Sequence, residues 1–201
     1  MWKDRVRAFG VGNQGTNVPG WLANYNRVED EDWNATEDLK RRVNAHFLAT
    51  PGTGLGRALF NDIVSWKLRQ QEDRVADHLG QLNEQAISEV TGAVFRLNHD
   101  DPEILARIRI GVLQGMPGVG IGVASAILTL CYPNSYGVID FRVWDEIHDR
   151  DPQKQSLKRQ FSISDYLTYL TMIRDFAEQE NITVQEVDFA LWKIWELRRQ
   201  A

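Results

Sequence analysis

The chain has 201 residues, enough for one domain or two intimate lobes at roughly 150 residues per domain. Hydrophobic residues make up 43% and charged ones 25%, an ordinary globular balance that excludes intrinsic disorder and collagen-like repeats. The net charge of −5 argues against a broadly basic, non-specific nucleic-acid coat, and the single Cys131 excludes an internal disulfide, an iron–sulfur cluster and a thiolate-rich zinc site.

Met1 to Arg7 lead into a glycine-rich stretch rather than an apolar core, so no signal peptide is expected. No apolar run approaches the ~20 residues of a membrane span. The expected location is therefore cytoplasmic, and nucleoid-associated in a bacterium. Residues 9 to 35 carry scattered Gly, Asn and Trp and keep neither a helical nor a strand period, so they read as an irregular arm. The acidic run Glu29-Asp30-Glu31-Asp32 within it reads as a solvated surface.

Helical patterns begin at Thr36, which can cap a helix to about Leu48, and Pro51-Gly52-Thr53-Gly54 breaks the chain after it. A longer helix is expected from about Gly56 to Gln70, with Phe60, Ile63, Val64 and Lys67 on one face. Shorter patterns cover Arg74 to Leu82 and Glu84 to Leu97. Asp101-Pro102 opens a helix reaching Gln114, because proline suits a first turn whose N–H has no partner to lose. Farther on, Ser164 can cap a helix carrying Leu167, Leu170, Ile173 and Ala177. Thr183-Val184-Gln185-Glu186 has capping-box spacing ahead of Val187, Leu191, Ile194 and Trp195. No alternating strand pattern stands out, and the expected fold is all-α.

Between the helices lies Leu113-Gln114-Gly115-Met116-Pro117-Gly118-Val119-Gly120-Ile121-Gly122, followed by the apolar Val123 to Leu128. Gly118 and Gly120 permit backbone conformations closed to other residues. The free N–H groups that open the second helix suit an anion such as a phosphate. Such a hairpin can hold a DNA backbone without a basic surface. An αα-hairpin whose glycines only let two helices pack closely fits the turn equally well. A nucleotide P-loop does not, since neither a GK[ST] ending nor a preceding strand is present.

Downstream runs Tyr136-Gly137-Val138-Ile139-Asp140-Phe141-Arg142-Val143-Trp144. Together the two segments, residues 113 to 147, resemble the helix-hairpin-helix DNA glycosylase superfamily. Its hairpin is followed by an apolar pair, an aspartate and a further helix. Asp140 lies eighteen residues after Gly122, the spacing between the lysine of bifunctional members and the family's catalytic aspartate. The resemblance implies that Asp140 is the catalytic carboxylate and that Gly118, Val119, Gly120, Ile121 and Gly122 meet DNA. A weaker likeness over Ile63 to Val75 matches Gln70 to the family's duplex-inserting glutamine. The carbonyls of Met116, Val119 and Ile121 are matched to a structural monovalent cation, with no other cofactor or metal expected. Gly122 stands where bifunctional members carry lysine.

Base excision builds positive charge on the sugar as its bond to the base breaks, and a fixed carboxylate stabilises that cation or steers water to it. Asp140 suits this role and equally suits an N-cap for Phe141 to His148. The flipped base has to leave the stack, and Trp66, Tyr136 and Trp144 are aromatic walls on which it can stack. Each also fits an ordinary core or surface position. Lys67, on an apolar stripe, either snorkels to solvent or sits in the pocket, where it contacts the base or replaces the missing amine.

The resemblance implies two helical lobes around a cleft. One covers residues 55 to 136 and ends in the hairpin; the other joins 1 to 54 with 137 to 201. The expected activity is excision of a damaged or modified base from DNA, by a monomer and without intrinsic strand cleavage. The alternatives are a catalytically silent DNA-binding hairpin module and a structural helical protein. A modified base in phage DNA is the alternative substrate.

Overall fold

The computed structural model describes residues 1–9, 29–69, 71–151, 153, 154, 158 and 160–200. All regular structure among these residues is helical, as the sequence predicts. The helices are α1 (Trp2–Ala8), α2 (Glu31–Ala49), α3 (Arg57–Leu68), α4 (Ala76–Leu79), α5 (Glu84–Arg96), α6 (Pro102–Gln114), α7 (Ile121–Cys131), α8 (Phe141–Ile147), α9 (Ile163–Glu180) and α10 (Val184–Gln200). None is long and apolar enough to cross a membrane.

Several boundaries depart from the sequence expectation, each for a local reason. The irregular arm ends earlier than residue 35. Asp30 accepts the Trp33 amide at 2.9 Å, and Glu31 and Asp32 fill a first turn whose dipole favours negative charge. Thr36 is therefore not a cap; it is buried inside α2 and accepts the Trp66 indole N–H at 3.1 Å. Residues 10–28 of the arm lie outside the described residues. The acidic run is not a wholly solvated face either. Lys193 reaches Asp30 at 2.8 Å and Asp32 at 3.2 Å. Burial alone would lower the Lys193 pKa, but these two carboxylates outweigh it and hold the ammonium above its ordinary range.

The helix α1 carries no sequence signal of its own, and seven residues hold no helix alone in water. It forms because Trp2 and Val6 are buried, with the Trp2 ring 5.1 Å from Phe176. The pattern from Arg74 to Leu82 resolves into a 3-10 turn, Glu72–Arg74, and the four-residue α4. The cap of α9 is Ser162 rather than Ser164, because three residues on from Ser162 stands Asp165, which bonds back to the Ser162 amide at 2.8 Å. Three residues on from Ser164 is Leu167, which offers no such return bond. Burial would raise the Asp165 pKa, yet the Ser162 hydrogen bonds and Lys158 together lower it.

The expected caps elsewhere are present. Asp101 accepts the Glu103 and Ile104 amides ahead of Pro102, and Thr183 and Glu186 form a reciprocal pair at the start of α10. The expected stripes are also buried, with Phe60, Ile63 and Val64 in α3 and Val187, Leu191, Ile194 and Trp195 in α10.

The fold divides into two compact units, residues 34–131 and residues 1–33 with 132–201. In the first, the apolar α7 is the central element, with Val123 to Leu130 all buried, and it packs on α3 and α6. In the second, α10 packs on α1, α8 and α9. At its centre Glu146 of α8 is wholly buried and takes both Arg5 of α1 and Arg198 of α10, the latter at 2.6 Å. Arg5 also reaches Asp149 at 2.7 Å.

Candidate functional site

In the unit of residues 34–131, α6 stops at Gly115 and the chain turns through Met116 to Gly120 into α7. The Val119 amide donates to the Met116 carbonyl at 3.1 Å, and Gly120 provides the first helical acceptor, taking the Ala124 amide at 2.9 Å. Gly118 has φ +80°, and a methyl there would lie 3.0 Å from Leu79 and 3.2 Å from the His78 Cβ. Glycine is needed at 118 on both counts. A methyl at Gly120 would meet nothing, and that residue is exposed. Val119 and Ile121 are buried and anchor the turn from inside. Helix geometry leaves the amides of Ile121, Gly122 and Val123 without intrahelical acceptors.

Gly118→Ala is expected to destabilise the protein by about 1–2 kcal/mol through the left-handed backbone and the Leu79 contact. Gly120→Ala, with open space around it, should cost less. Urea unfolding of the two variants checks the difference. Equal stabilities would show that the turn does not depend on the positive φ of Gly118.

The Met116 carbonyl already serves the turn, but a carbonyl oxygen has a second lone pair. The carbonyl set of Met116, Val119 and Ile121 thus fits a monovalent cation by donor type. Among the described residues no cluster of His, Cys, Asp or Glu has the arrangement of a metal site.

Other residues singled out in this unit lie on α3. Lys67 is half-buried in its last turn, one turn beyond Ile63 and Val64. The indole of Trp66 is tied to Thr36. The helix ends at Arg69, whose φ is 47°, and Gln70 lies outside the described residues. The His78 and Leu79 contact with the hairpin was not legible in the sequence, since it joins α4 to a turn some forty residues on.

In the other unit, Tyr136 to Ile139 form a buried segment without regular secondary structure that ends in Asp140. Asp140 caps α8 as expected. It accepts the Arg142 amide at 2.8 Å and the Val143 amide at 3.2 Å, with its side chain 18% exposed. Arg142 also brings its guanidinium to Asp140 at 3.4 Å. That guanidinium lies against the rings of Phe141, Trp195 and Trp192, 4.8 to 5.8 Å from their centroids. The carboxylate is thereby rigidly oriented, with a cation at its edge and a remaining fraction open to solvent.

Tyr136 is 1% exposed, beside Tyr132 and under the Arg174 guanidinium. Trp144 stacks on His148 at 4.3 Å and has Lys158 over its ring at 5.3 Å. Both rings are thus engaged within the protein.

Two further residues near Asp140 escaped sequence reasoning. Tyr169 of α9 donates its hydroxyl to Asp188 of α10 in a buried hydrogen bond. A signal existed for Asp188, because it sits one turn from Val184 and Leu191 on the buried stripe, an uncommon place for a carboxylate.

No family model matches the chain, and no curated protein does. Among solved structures, the chain is similar to the 8-oxoguanine glycosylase/lyase of Methanocaldococcus jannaschii, crystallised with a 15mer DNA containing 8-oxoguanine. The identity is 16%, the TM-score is 0.46, and the match covers 96% of this chain and 79% of that one. A likeness of that size defines neither family nor activity.

Proposed function

We propose that this protein is a DNA glycosylase that releases a damaged or modified base and leaves the strand intact. The observation that supports this best is the Asp140 carboxylate, held by two backbone amides at the start of α8 and partly open to solvent. A carboxylate fixed in this way stabilises the cation that develops on the sugar without reorganising during the reaction. Gly122 brings no amine, so water is the nucleophile and Asp140 orients it and takes its proton. In this reading the first amides of α7 hold a backbone phosphate. A monovalent cation on the Met116, Val119 and Ile121 carbonyls would add positive charge there.

Screening a panel of duplexes carrying oxidised, alkylated or mismatched bases, together with phage DNA containing modified bases, for free base by mass spectrometry tests the reading. The expected products are free base and an intact strand with an abasic site, cut only after alkali or heat. Borohydride should trap little covalent complex. Efficient trapping that disappears in Lys67→Ala, with strand breaks at neutral pH, would replace water by Lys67 as nucleophile.

The two cap hydrogen bonds also account for Asp140 without any chemistry. That observation favours a second reading, a catalytically silent hairpin module that binds DNA. Salt-sensitive DNA binding without release of any base would establish it.

A further inference from the structure

Asp188 is 7% exposed, and its carboxylate accepts the hydroxyl of Tyr169, which is itself 1% exposed. Both side chains lie close to one point of the backbone, Gly137. A methyl at Gly137 would lie 3.0 Å from the Tyr169 hydroxyl oxygen and 3.2 Å from the Asp188 Cβ, and it would collide with Ile173. Gly137 stands three residues ahead of Asp140, in the buried segment that delivers it.

The electrostatics join the same groups. Burial pushes the Tyr169 hydroxyl well above the ordinary tyrosine range, and Asp188, Tyr166 and last Asp140 push it further. The phenol stays protonated, donates to Asp188, and lies in the field of both carboxylates. Arg142 stands beside Asp140, and the buried Tyr166 feels Tyr136, Arg174 and Asp188. Packing two helices together does not require a buried carboxylate, and an apolar residue of similar volume at 188 would avoid the desolvation cost. The Tyr169–Asp188 hydrogen bond therefore calls for a role other than packing.

We propose that Tyr169 and Asp188 are positioning residues for Asp140: they pack on the Gly137 backbone and hold the buried segment that presents the carboxylate. As a statement about catalysis this rests on the glycosylase reading; as a statement about the position of Asp140 it does not.

Two variants separate the parts. Tyr169→Phe keeps the ring and removes the donor, whereas Asp188→Asn keeps an acceptor oxygen and removes the charge. Amide hydrogen exchange reads the position of Asp140 directly, because the Arg142 and Val143 amides both donate to it. In Tyr169→Phe these two amides should exchange about tenfold faster, while the cap amides of Asp165 and Glu186 keep their wild-type rates. In Tyr169→Phe base release should fall about tenfold with duplex Kd within about twofold, as expected when only the transition state loses an interaction, and in Asp188→Asn, which keeps the acceptor, it should fall less.

Unchanged exchange at Arg142 and Val143 overturns the proposal. Faster exchange at all four amides overturns it too, since it reports general loosening. If the two amides respond selectively but the wild-type protein releases no base from any duplex, the positioning stands and the glycosylase reading falls.

Discussion

Asp140→Asn is expected to lower base release by at least about 10²-fold, the scale on which a single preorganised electrostatic group acts. Asparagine keeps an oxygen for the Arg142 and Val143 amides, so α8 retains its cap and the fold survives. What it loses is the negative charge that a developing sugar cation requires. The Arg142 guanidinium, 3.4 Å from Asp140, also loses its counter-charge, which adds to the loss of negative potential. Duplex affinity should stay within about twofold, because the proposed phosphate contacts lie in the hairpin. Rates of free-base release and fluorescence anisotropy of a labelled duplex check the two halves. Turnover near that of the wild type would reduce Asp140 to a cap.

Glu146→Ala is expected to cost about 3 kcal/mol of folding stability, the low end of the range for breaking a buried ion pair. Glu146 is fully buried, and its two carboxylate oxygens hold Arg5 of α1 and Arg198 of α10. Removing it takes the buried carboxylate from both guanidinium groups and leaves Arg5 its Asp149 contact. The cost stays at the low end because these side chains are 19% and 22% exposed and can turn towards water. For a chain of this size the loss corresponds to a fall in Tm of about 6–12 °C. Glu146→Gln keeps one acceptor oxygen for an arginine but sets an amide N–H2 against the other, so it should cost somewhat less than Glu146→Ala. Urea unfolding checks both variants, and a loss below about 1 kcal/mol for Glu146→Ala would show that the cluster contributes little.

These two sites differ in how far they can be read from sequence. Asp140 is legible because local features converge on it: an apolar pair before it, a helical pattern after it, and a preferred capping residue between. The hairpin is legible for the same reason, since Gly118 and Gly120 mark a turn between two apolar helices. Glu146 gives no such sign. Its partners stand 141 positions before it and 52 after it, and no local pattern joins them.

The sequence by itself determined the all-α class, the caps at Asp101, Asp140 and Thr183, the buried stripes of α3 and α10, and the glycine turn. All of these follow from interactions within a few residues: hydrogen bonds to the next turn and side-chain period along one helix. Only the tertiary structure decided that Trp2 to Ala8 form a helix, that Asp30 and Asp32 serve Lys193, that Glu146 gathers two arginines, and that Tyr169 and Asp188 bear on Gly137. Each depends on burial and charge compensation between segments far apart in the chain. Such contacts stabilise short or polar stretches that local propensity would leave unfolded, because removal from water strengthens both apolar packing and ion pairing only after the chain has closed.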